Sequence, residues 1–444
     1  MGNGKQSKTA QYALIQGLYW MSFCMIFAYA SVYLLDRGLS NTAIGLLIGV
    51  SGSVSAILQP WIGGMAGEGP GKMPLKRMIM LGCSLMLLVG LSLFLVSGNQ
   101  VLTVVCYGVG VTFLQVLTPL VYSLGMVCIN RGEKLDFGLA RGIGSLAYAG
   151  ISYVAGFMVA SMGTAFIPAS IAVLYGGMLA AVFAFRSGEE TSVVRASGKR
   201  LSEERAPGEM SSGERASGGI SSGEMSSPGG GDTKGEGDGG PGPGMALQGI
   251  HDGEGQQEVS FFKRYPRFFM LLLGSILVFV SHNMLNNFAF QIMESKGGGS
   301  SAMGTAIALA AASELPTMFL FGWMVTKVRC DVWLKISGLF FLIKSAATVL
   351  VRDVTGMYLI QGLQMFGFAL FVVASVYYVN MIMKEKDRTK GQAFMTMTNT
   401  LGGVLGSACG GALIDGFGIH TMLLVSTGVA AVGMALMSGA VKRR

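Results

Sequence analysis

The sequence predicts an all-α membrane protein with twelve transmembrane helices in two six-helix halves. Hydrophobic residues make up 51% of its 444 positions and charged residues only 13%, whereas a soluble domain carries about 25% charged residues. The mean hydropathy is +0.55, and most charges outside 187–259 lie in short clusters between long apolar runs. A soluble fold of this size would not cover so much apolar surface. Six cysteines are also too few for a secreted disulfide scaffold.

The length of the apolar runs gives the number of spans. A helix needs about 20 apolar residues to cross roughly 30 Å of hydrocarbon, and an open chain in lipid has to be helical to satisfy its backbone polar groups. The runs predict spans at 12–35, 41–66, 75–97, 101–128, 140–161, 165–186, 267–292, 300–326, 332–351, 355–383, 390–414 and 419–441.

The basic residues predict the orientation of these spans. Outside 187–259 there are 26 basic residues, and only Arg37, Lys296 and Arg352 fall in connectors after odd-numbered spans. Cytoplasmic connectors carry the excess of Lys and Arg, so both termini are expected in the cytoplasm. No cleavable signal peptide is expected, because the first apolar run is too long and no small-residue cleavage site follows it. The expected location is a bacterial inner (cytoplasmic) membrane, crossed many times.

The chain divides into a six-helix bundle at 1–186, a linker at 187–266 and a second six-helix bundle at 267–444. The linker is rich in Gly, Ser and Glu, and its stretch 187–259 holds thirteen acidic and six basic residues. It cannot bury enough apolar surface to order itself, so we expect a disordered cytoplasmic tether, with a regulatory or partner-binding role as the alternative. The bases are not gathered on one soluble face, so no nucleic-acid partner is expected.

Three charged residues fall inside or at the edge of spans. A charge at the bilayer centre costs from about 2.5 to more than 10 kcal/mol. Glu314 is the best-isolated acid, and we expect it to carry a proton or to accept hydrogen bonds from a solute; a structural ion pair with Lys344 is the alternative. Lys344 is either its charge partner or a lysine that extends to the interface. Arg141 is either a substrate ligand, through its guanidinium fork, or an anchor at the cytoplasmic edge.

Polar side chains in the spans outline a possible binding cavity. In span 7, His282, Asn286 and more loosely Asn283 share a helix face, and amides that donate and accept suit sugar hydroxyls. Hydrogen bonding between helices is the alternative. His282 is a candidate proton carrier or a packing residue. Other candidate substrate-binding residues are Ser123, Thr317, Gln361 and Gln364, while Tyr19, Trp20 and Tyr29 form either aromatic walls or an interface belt.

The sequence offers no sign of an enzyme. The six cysteines are scattered without CxxC spacing, so no metal or other cofactor is expected. The chain also lacks a P-loop, a Ser/His/Asp arrangement and a His-Glu-x-x-His motif.

The end of span 2 resembles the signature that follows span 2 in major facilitator transporters. It reads Gln59-Pro60-Trp61-Ile62-Gly63-Gly64-Met65-Ala66-Gly67-Glu68, with Lys76-Arg77 shortly after. The resemblance implies the major facilitator fold, with a substrate site between two rocking halves. It also implies a role in conformational gating for Gly63, which packs against a neighbouring helix in the family, and for Glu68 and Arg77.

Within that superfamily, the chain is most similar to the lactose permease-like oligosaccharide:proton symporters, over nearly everything except the linker. The shared residues are Gln59-Pro60, the run Asp136-Phe137-Gly138-Leu139-Ala140-Arg141, the triplet Ser313-Glu314-Leu315, and Lys344 six positions after Gly338. The resemblance implies that Arg141 and Tyr148 bind the sugar and that Glu314 joins sugar binding to proton coupling. The family's other charged positions hold Ser123, His282, Leu285, Gln361, Gln364 and Gly367.

The sequence therefore predicts a monomeric transporter that imports a small polar solute, a sugar or oligosaccharide, by proton symport. Proton coupling is assigned to Glu314, Lys344 and His282, with sodium left open as the coupling ion. Three alternatives remain: a nucleoside symporter, a non-transporting sensor that signals through the linker, and a drug or metabolite exporter. The absence of a Gly-Pro motif from span 5 argues against export.

Overall fold

The computed structural model describes residues 3–67, 72–96, 98–185 and 261–441, which are helical apart from turns and one isolated β-bridge between Ala66 and Met73. The N-terminal half (3–185) contains α1 (Asn3–Phe23), α2 (Ala30–Asp36), α3 (Asn41–Met65), α4 (Leu75–Leu95), α5 (Gln100–Asn130), α6 (Phe137–Met162) and α7 (Phe166–Ala184). The C-terminal half (261–441) contains α8 (Phe261–Arg264), α9 (Pro266–Asn287), α10 (Ala289–Ser295), α11 (Ser300–Lys327), α12 (Cys330–Leu350), α13 (Val354–Gln361), α14 (Phe368–Ile382) and α15 (Glu385–Ala440). The two halves pack as one compact unit.

The predicted all-helical membrane fold is confirmed. Within the described residues, ten helical segments are long and apolar enough to cross a membrane, or eleven when Lys8–Ala28 and Ala30–Asp36, which are bent by 45°, form one span. The last segment, Lys390–Ala440, has 51 residues, far more than one crossing needs. It is interrupted at Gly418, whose φ of 82° lies in the left-handed region that favours glycine.

Side-chain caps explain where several helices begin. Ser40, Asn99, Asp136 and Asp353 precede α3, α5, α6 and α13, and each accepts a hydrogen bond from a main-chain N–H in the first turn. Such caps satisfy donors that have no partner inside the helix. The ends of α3 to α7 accordingly lie within three residues of the predicted spans.

The halves touch closely at the end of the molecule where α3 and α11 begin. A Cβ at Gly45 of α3 would collide with the main-chain oxygen of Ser407 in α15, and a Cβ at Gly304 of α11 would collide with that of Ser152 in α6. The Ser300 hydroxyl also donates to the main-chain oxygen of Gly156 at 3.2 Å. Small residues allow such backbone approaches between membrane helices. We call this the closed end.

A carboxylate reinforces the closed end. Asp415 of α15 accepts hydrogen bonds from the main-chain N–H of Thr42 at 2.7 Å, and from the main-chain N–H and side-chain amide of Asn41 at 3.2 and 2.8 Å. Gln291 of α10 donates to Asn41 Oδ1 at 2.7 Å. The C-terminal half therefore supplies a negative charge at the N-terminus of α3, which belongs to the N-terminal half.

The opposite end of α3 lacks such close approaches. A Cβ at Gly63 or Gly64 would meet no atom of the described residues within 4 Å. We call this the open end.

The linker prediction falls mainly outside the described residues, since 186–260 are not among them. Its last part is helical: α8 lies within the predicted linker, and Phe261 packs against Phe268 and Phe394 with ring centroids 6.1 and 5.4 Å away. The C-terminal half therefore begins a few residues earlier than the sequence predicts.

Candidate functional site

Two charged residues predicted to act together are joined by a glutamine in the C-terminal half. Glu314 lies midway along α11, Lys344 lies in α12, and Gln364 lies in the 3-10 turn Gly362–Met365 between α13 and α14. The Gln364 amide nitrogen donates to Glu314 Oε1 at 3.0 Å, and Lys344 Nζ donates to Gln364 Oε1 at 2.5 Å. A carboxylate only accepts and an ammonium only donates, so these partners fix the direction of the amide. The expected direct ion pair is therefore replaced by a bridge through a neutral side chain.

The position of Gln364 depends on a break in its span. Hydroxyl groups of neighbouring helices donate to the main-chain oxygens that the break exposes. Ser313 bonds Gln361 at 3.2 Å, Thr317 bonds Met365 at 3.0 Å and Ser337 bonds Gly367 at 2.8 Å. Since lipid offers no replacement partners, an irregular segment persists only where protein groups satisfy it.

His282 lies in a separate aromatic environment. Its ring stacks on Phe368 at 5.0 Å and meets the edge of Phe341 at 5.2 Å. Nε2 is 2.8 Å from the amide nitrogen of Asn286, one helical turn away, as the sequence spacing predicts. The imidazole is buried and makes no hydrogen bond with Glu314 or Lys344 among the described contacts.

In the N-terminal half, Arg141 is held by neutral groups. Its Nε donates to the hydroxyl of Tyr122 at 3.1 Å and Nη1 donates to the hydroxyl of Ser145 at 2.6 Å. The guanidinium carbon lies 4.1 Å from the ring centroid of Trp20, within cation–π range. Trp20 also meets Tyr148 edge-on, with centroids 6.3 Å apart.

The helices that carry these two clusters pack together. A Cβ at Gly142, next to Arg141 on α6, would lie 3.6 Å from the ring of Phe319 on α11, the helix that carries Glu314. A solute between the halves would meet an aromatic pair and a guanidinium on one side, and a carboxylate bridged to an ammonium on the other.

Three predicted substrate residues bond other protein groups, and a fourth is exposed. Asn283 faces α15, where its amide donates to Phe279 O at 2.8 Å and to Asn399 Oδ1 at 3.3 Å. The hydroxyl of Thr317 donates to the main-chain oxygen of Met365 in the broken span. Ser123 and Asn286 are exposed. The prediction that Asn283 loosely shares a helix face with His282 is wrong, because adjacent positions are about 100° apart around a helix.

The aromatic and gating predictions need similar corrections. Tyr19 is buried inside the N-terminal half, with its hydroxyl bonded to Leu114 O. Tyr29 is buried at the contact with Gly304 of the other half, with its hydroxyl bonded to Ser152 O. Trp20 and Tyr148 are the aromatic residues beside Arg141. Gly63 packs against no neighbouring helix within the described residues. Arg77 is exposed near the start of α4, Gln361 is half-buried at the end of α13, and Glu68 lies outside the described residues.

The two hydrogen-bond partners of Arg141, which are Tyr122 and Ser145, were not identified from the sequence. Ser145 lies four residues after Arg141, and this spacing on α6 was a usable signal. Tyr122 lies on α5, and its hydrogen bond to Arg141 joins α5 to α6. No group of three His, Cys, Asp or Glu side chains that could hold a metal ion occurs in the described part of the chain.

Several solved structures with the same fold are distant from this chain in sequence. They include the nucleoside transporter NupG (TM-score 0.68, 13% identity, 98% of this chain and 99% of that chain), and a bacterial homologue of the iron transporter ferroportin in an inward-facing state (0.67, 12%, 99% and 99%). A mutant of the peptide transporter POT is also similar (0.64, 10%, 98% and 97%). Among curated proteins, none matches this chain.

The sequence itself matches one family model over most of its length. The model of the MFS_1 like family covers residues 11–425, which include every described residue of the site. Together with the fold shared with the three transporters, this match identifies the chain as a multi-pass membrane protein with the major facilitator fold. It belongs to the MFS_1 like family.

Proposed function

We propose that the protein is a secondary active transporter that imports a small polar solute together with a proton, by alternating exposure of a site between its halves. The observation that carries this proposal is the bridge from Glu314 through Gln364 to Lys344, with Arg141 on α6, which packs against the helix that carries Glu314. An acid at such depth is costly unless it is paired or used. Glu314 is linked to Lys344 indirectly, through Gln364, and these hydrogen bonds can break and form again during transport.

The bridge suggests how proton and solute are coupled. When Glu314 gains a proton, its carboxyl loses most of its attraction for Arg141 and for the Gln364–Lys344 pair. Arg141 and the Gln364 amide then become available to oxygen atoms of the solute. Loss of the proton at the other side of the membrane restores the carboxylate, which competes with the solute for the same donors and favours its release.

Twelve spans with both termini in the cytoplasm form part of the proposal. In this proposal α1 and α2, which meet at a bend, together form the first span. The last helical segment forms two spans, which are separated at Gly418. With the positive-inside orientation, the closed end faces outward and the open end faces the cytoplasm. Transport then requires the contacts at Gly45, Gly304 and Asp415 to separate while the open end closes. The proposed location is the inner (cytoplasmic) membrane, and the proposed working form is a monomer.

A sugar is the first candidate solute. Trp20 and Tyr148 offer aromatic surfaces, and Gln364 and Arg141 offer hydrogen-bond donors, as sugar rings with hydroxyl groups require. The resemblance to the oligosaccharide:proton symporters supports this choice. A nucleoside is the second candidate, because aromatic surfaces also suit a base and because a nucleoside transporter shares the fold.

Uptake into proteoliposomes tests the proposal. Purified protein is reconstituted, and labelled sugars and nucleosides are added under an imposed inward proton gradient, an inward sodium gradient, or no gradient. We expect accumulation above equilibrium only under the proton gradient, and its loss in Glu314→Gln. Glu294→Gln is the matched control, since Glu294 is an exposed acid at the end of α10. Accumulation driven by sodium alone, or by the proton gradient in Glu314→Gln, would overturn the proposed coupling.

A further inference from the structure

We propose that the transported solute carries a carboxylate group, which Arg141 binds, so that the substrate class is a sugar acid rather than a neutral sugar. This inference rests on the proposed transport function and specifies the solute of the same site. Its basis is the balance of charges and hydrogen-bond donors around Arg141.

The site has more positive than negative charge. Arg141 and Lys344 are its two cations and Glu314 is its one carboxylate. Among the described residues, neither cation lies within ion-pair distance of a carboxylate oxygen: Lys344 bonds Gln364, and Arg141 bonds Tyr122 and Ser145. Even if Glu314 is assigned wholly to one cation, the other has no negatively charged partner among the described residues. When Glu314 is protonated, as the proposed coupling requires during import, both cations lack a negative partner in the described part of the chain, and the carboxylate of a bound anion then takes the place of the Glu314 carboxylate.

Arg141 is prepared to bind that anion. A guanidinium has five N–H groups, and only two of those in Arg141 make hydrogen bonds with described residues. The cation–π contact with Trp20 fixes the plane of the group. The remaining N–H groups match the two oxygens of a carboxylate, which a planar fork binds through parallel hydrogen bonds.

A second observation points to an acceptor-rich ligand. The indole N–H of Trp20 is buried and has no hydrogen-bond partner among the described residues, whereas buried donors are nearly always bonded. The unused N–H groups of Arg141 and Trp20 are donors. A carboxylate, with two oxygens and several lone pairs, accepts from them without having to donate, whereas a hydroxyl also has to donate.

The aromatic pair beside Arg141 indicates that the solute also contains a ring. Trp20 carries Arg141 on its face and meets Tyr148 edge-on, so the carboxylate site lies next to aromatic surface. A hydroxylated ring with one carboxylate fits both features. One proton that enters with such a monoanion adds no net charge to the site.

Matched solute pairs that differ only in the carboxylate test the inference. Uptake of glucose and glucuronate, and of galactose and galacturonate, is compared in proteoliposomes under an inward proton gradient, with methyl glucuronate as the esterified control. We expect each acid to enter at least tenfold faster than its neutral partner and the ester to behave like the neutral sugar. In Arg141→Gln the ratio should fall to about one, in Arg141→Lys it should be intermediate, and in Arg352→Gln, which alters an exposed arginine in a connector, it should be unchanged.

The possible failures are distinguishable. If neutral sugars enter as fast as the acids or faster, the anion inference is overturned while proton-coupled transport stands. The same holds if an uncharged nucleoside enters and no acid does. If Arg141→Gln retains the preference for the acid although the variant is folded by thermal unfolding, Arg141 is not the binding group. If the proton gradient drives no member of the panel, the transport proposal falls and the inference falls with it.

Discussion

Asp415 of the C-terminal half caps α3 of the N-terminal half, with its Oδ2 accepting the main-chain N–H of Thr42 at 2.7 Å. The carboxylate lies at the positive end of the helix dipole and satisfies donors that have no partner inside the helix. Because the two groups belong to different halves, this contact exists only while the closed end is closed. It therefore biases the equilibrium between the two conformations.

Replacing Asp415 should weaken the closed end. Asp415→Asn keeps the size of the side chain but removes the charge, and a helix-terminal charge contributes about 1 kcal/mol or less at exposed sites. We expect a shift of up to roughly fivefold toward separation of the halves at this end. Spin labels attached at Gln100→Cys and Thr355→Cys, in a background without the native cysteines, report the distance between the two halves at the closed end. Asp36→Asn is the control, because Asp36 bonds Thr164 within the N-terminal half; an equal shift in this control would contradict the cap.

A larger residue at Gly304 should force the closed end apart. A Cβ there would collide with the main-chain oxygen of Ser152, and backbone atoms cannot move aside as a flexible side chain can. We expect Gly304→Val to lengthen the distance between the same two labels and to reduce uptake at least tenfold. Gly150→Val is the control, since a Cβ at Gly150 of α6 would meet no atom within 4 Å in the described part of the chain. An unchanged label distance in Gly304→Val would refute the role of this contact.

The amide of Gln364 should matter more than an amide elsewhere. Gln364→Leu leaves Lys344 without its acceptor and Glu314 without a donor, and an unsatisfied buried group costs about 1–3 kcal/mol, or more if charged. We expect at least tenfold slower proton-driven uptake and a lower unfolding temperature. Gln392→Leu removes an amide whose one bond to a described residue is to the main-chain oxygen of Val376, and it should cost much less. Equal losses in the two variants would show that the bridge has no special role.

Thr317 should act on stability rather than on solute selection. Thr317→Val keeps the shape but removes the hydrogen bond to Met365 O, at a cost of about 0.5–1.5 kcal/mol. We expect a lower thermal unfolding temperature and unchanged relative KM values among solutes. Thr326→Val, whose hydroxyl bonds its own exposed helix, should have little effect on either. Altered selectivity with unchanged stability in Thr317→Val would restore the substrate-binding role that the sequence suggested.

The helices and the three charges of the site could be predicted because their causes are local. Apolar runs and capping residues such as Asn99 and Asp136 set the helix ends, and Glu314, Lys344 and Arg141 stand out because charges in a span are costly. The partners could not be predicted. Gln364 reaches both Glu314 and Lys344 only because its span breaks into a 3-10 turn, which depends on hydroxyls of α11 and α12. Asn283 and Thr317 are polar for packing reasons that only the neighbouring helices reveal.

The most direct test of the account is the change in external pH when solute is added to a lightly buffered suspension of cells that express the protein. Neutral and acidic sugars and nucleosides are added one at a time to cells with the wild-type protein, Glu314→Gln or Glu294→Gln. The account predicts that a transported solute raises the external pH with the wild type and with Glu294→Gln, and not with Glu314→Gln. A rise of equal size with Glu314→Gln would contradict the assignment of the proton to Glu314.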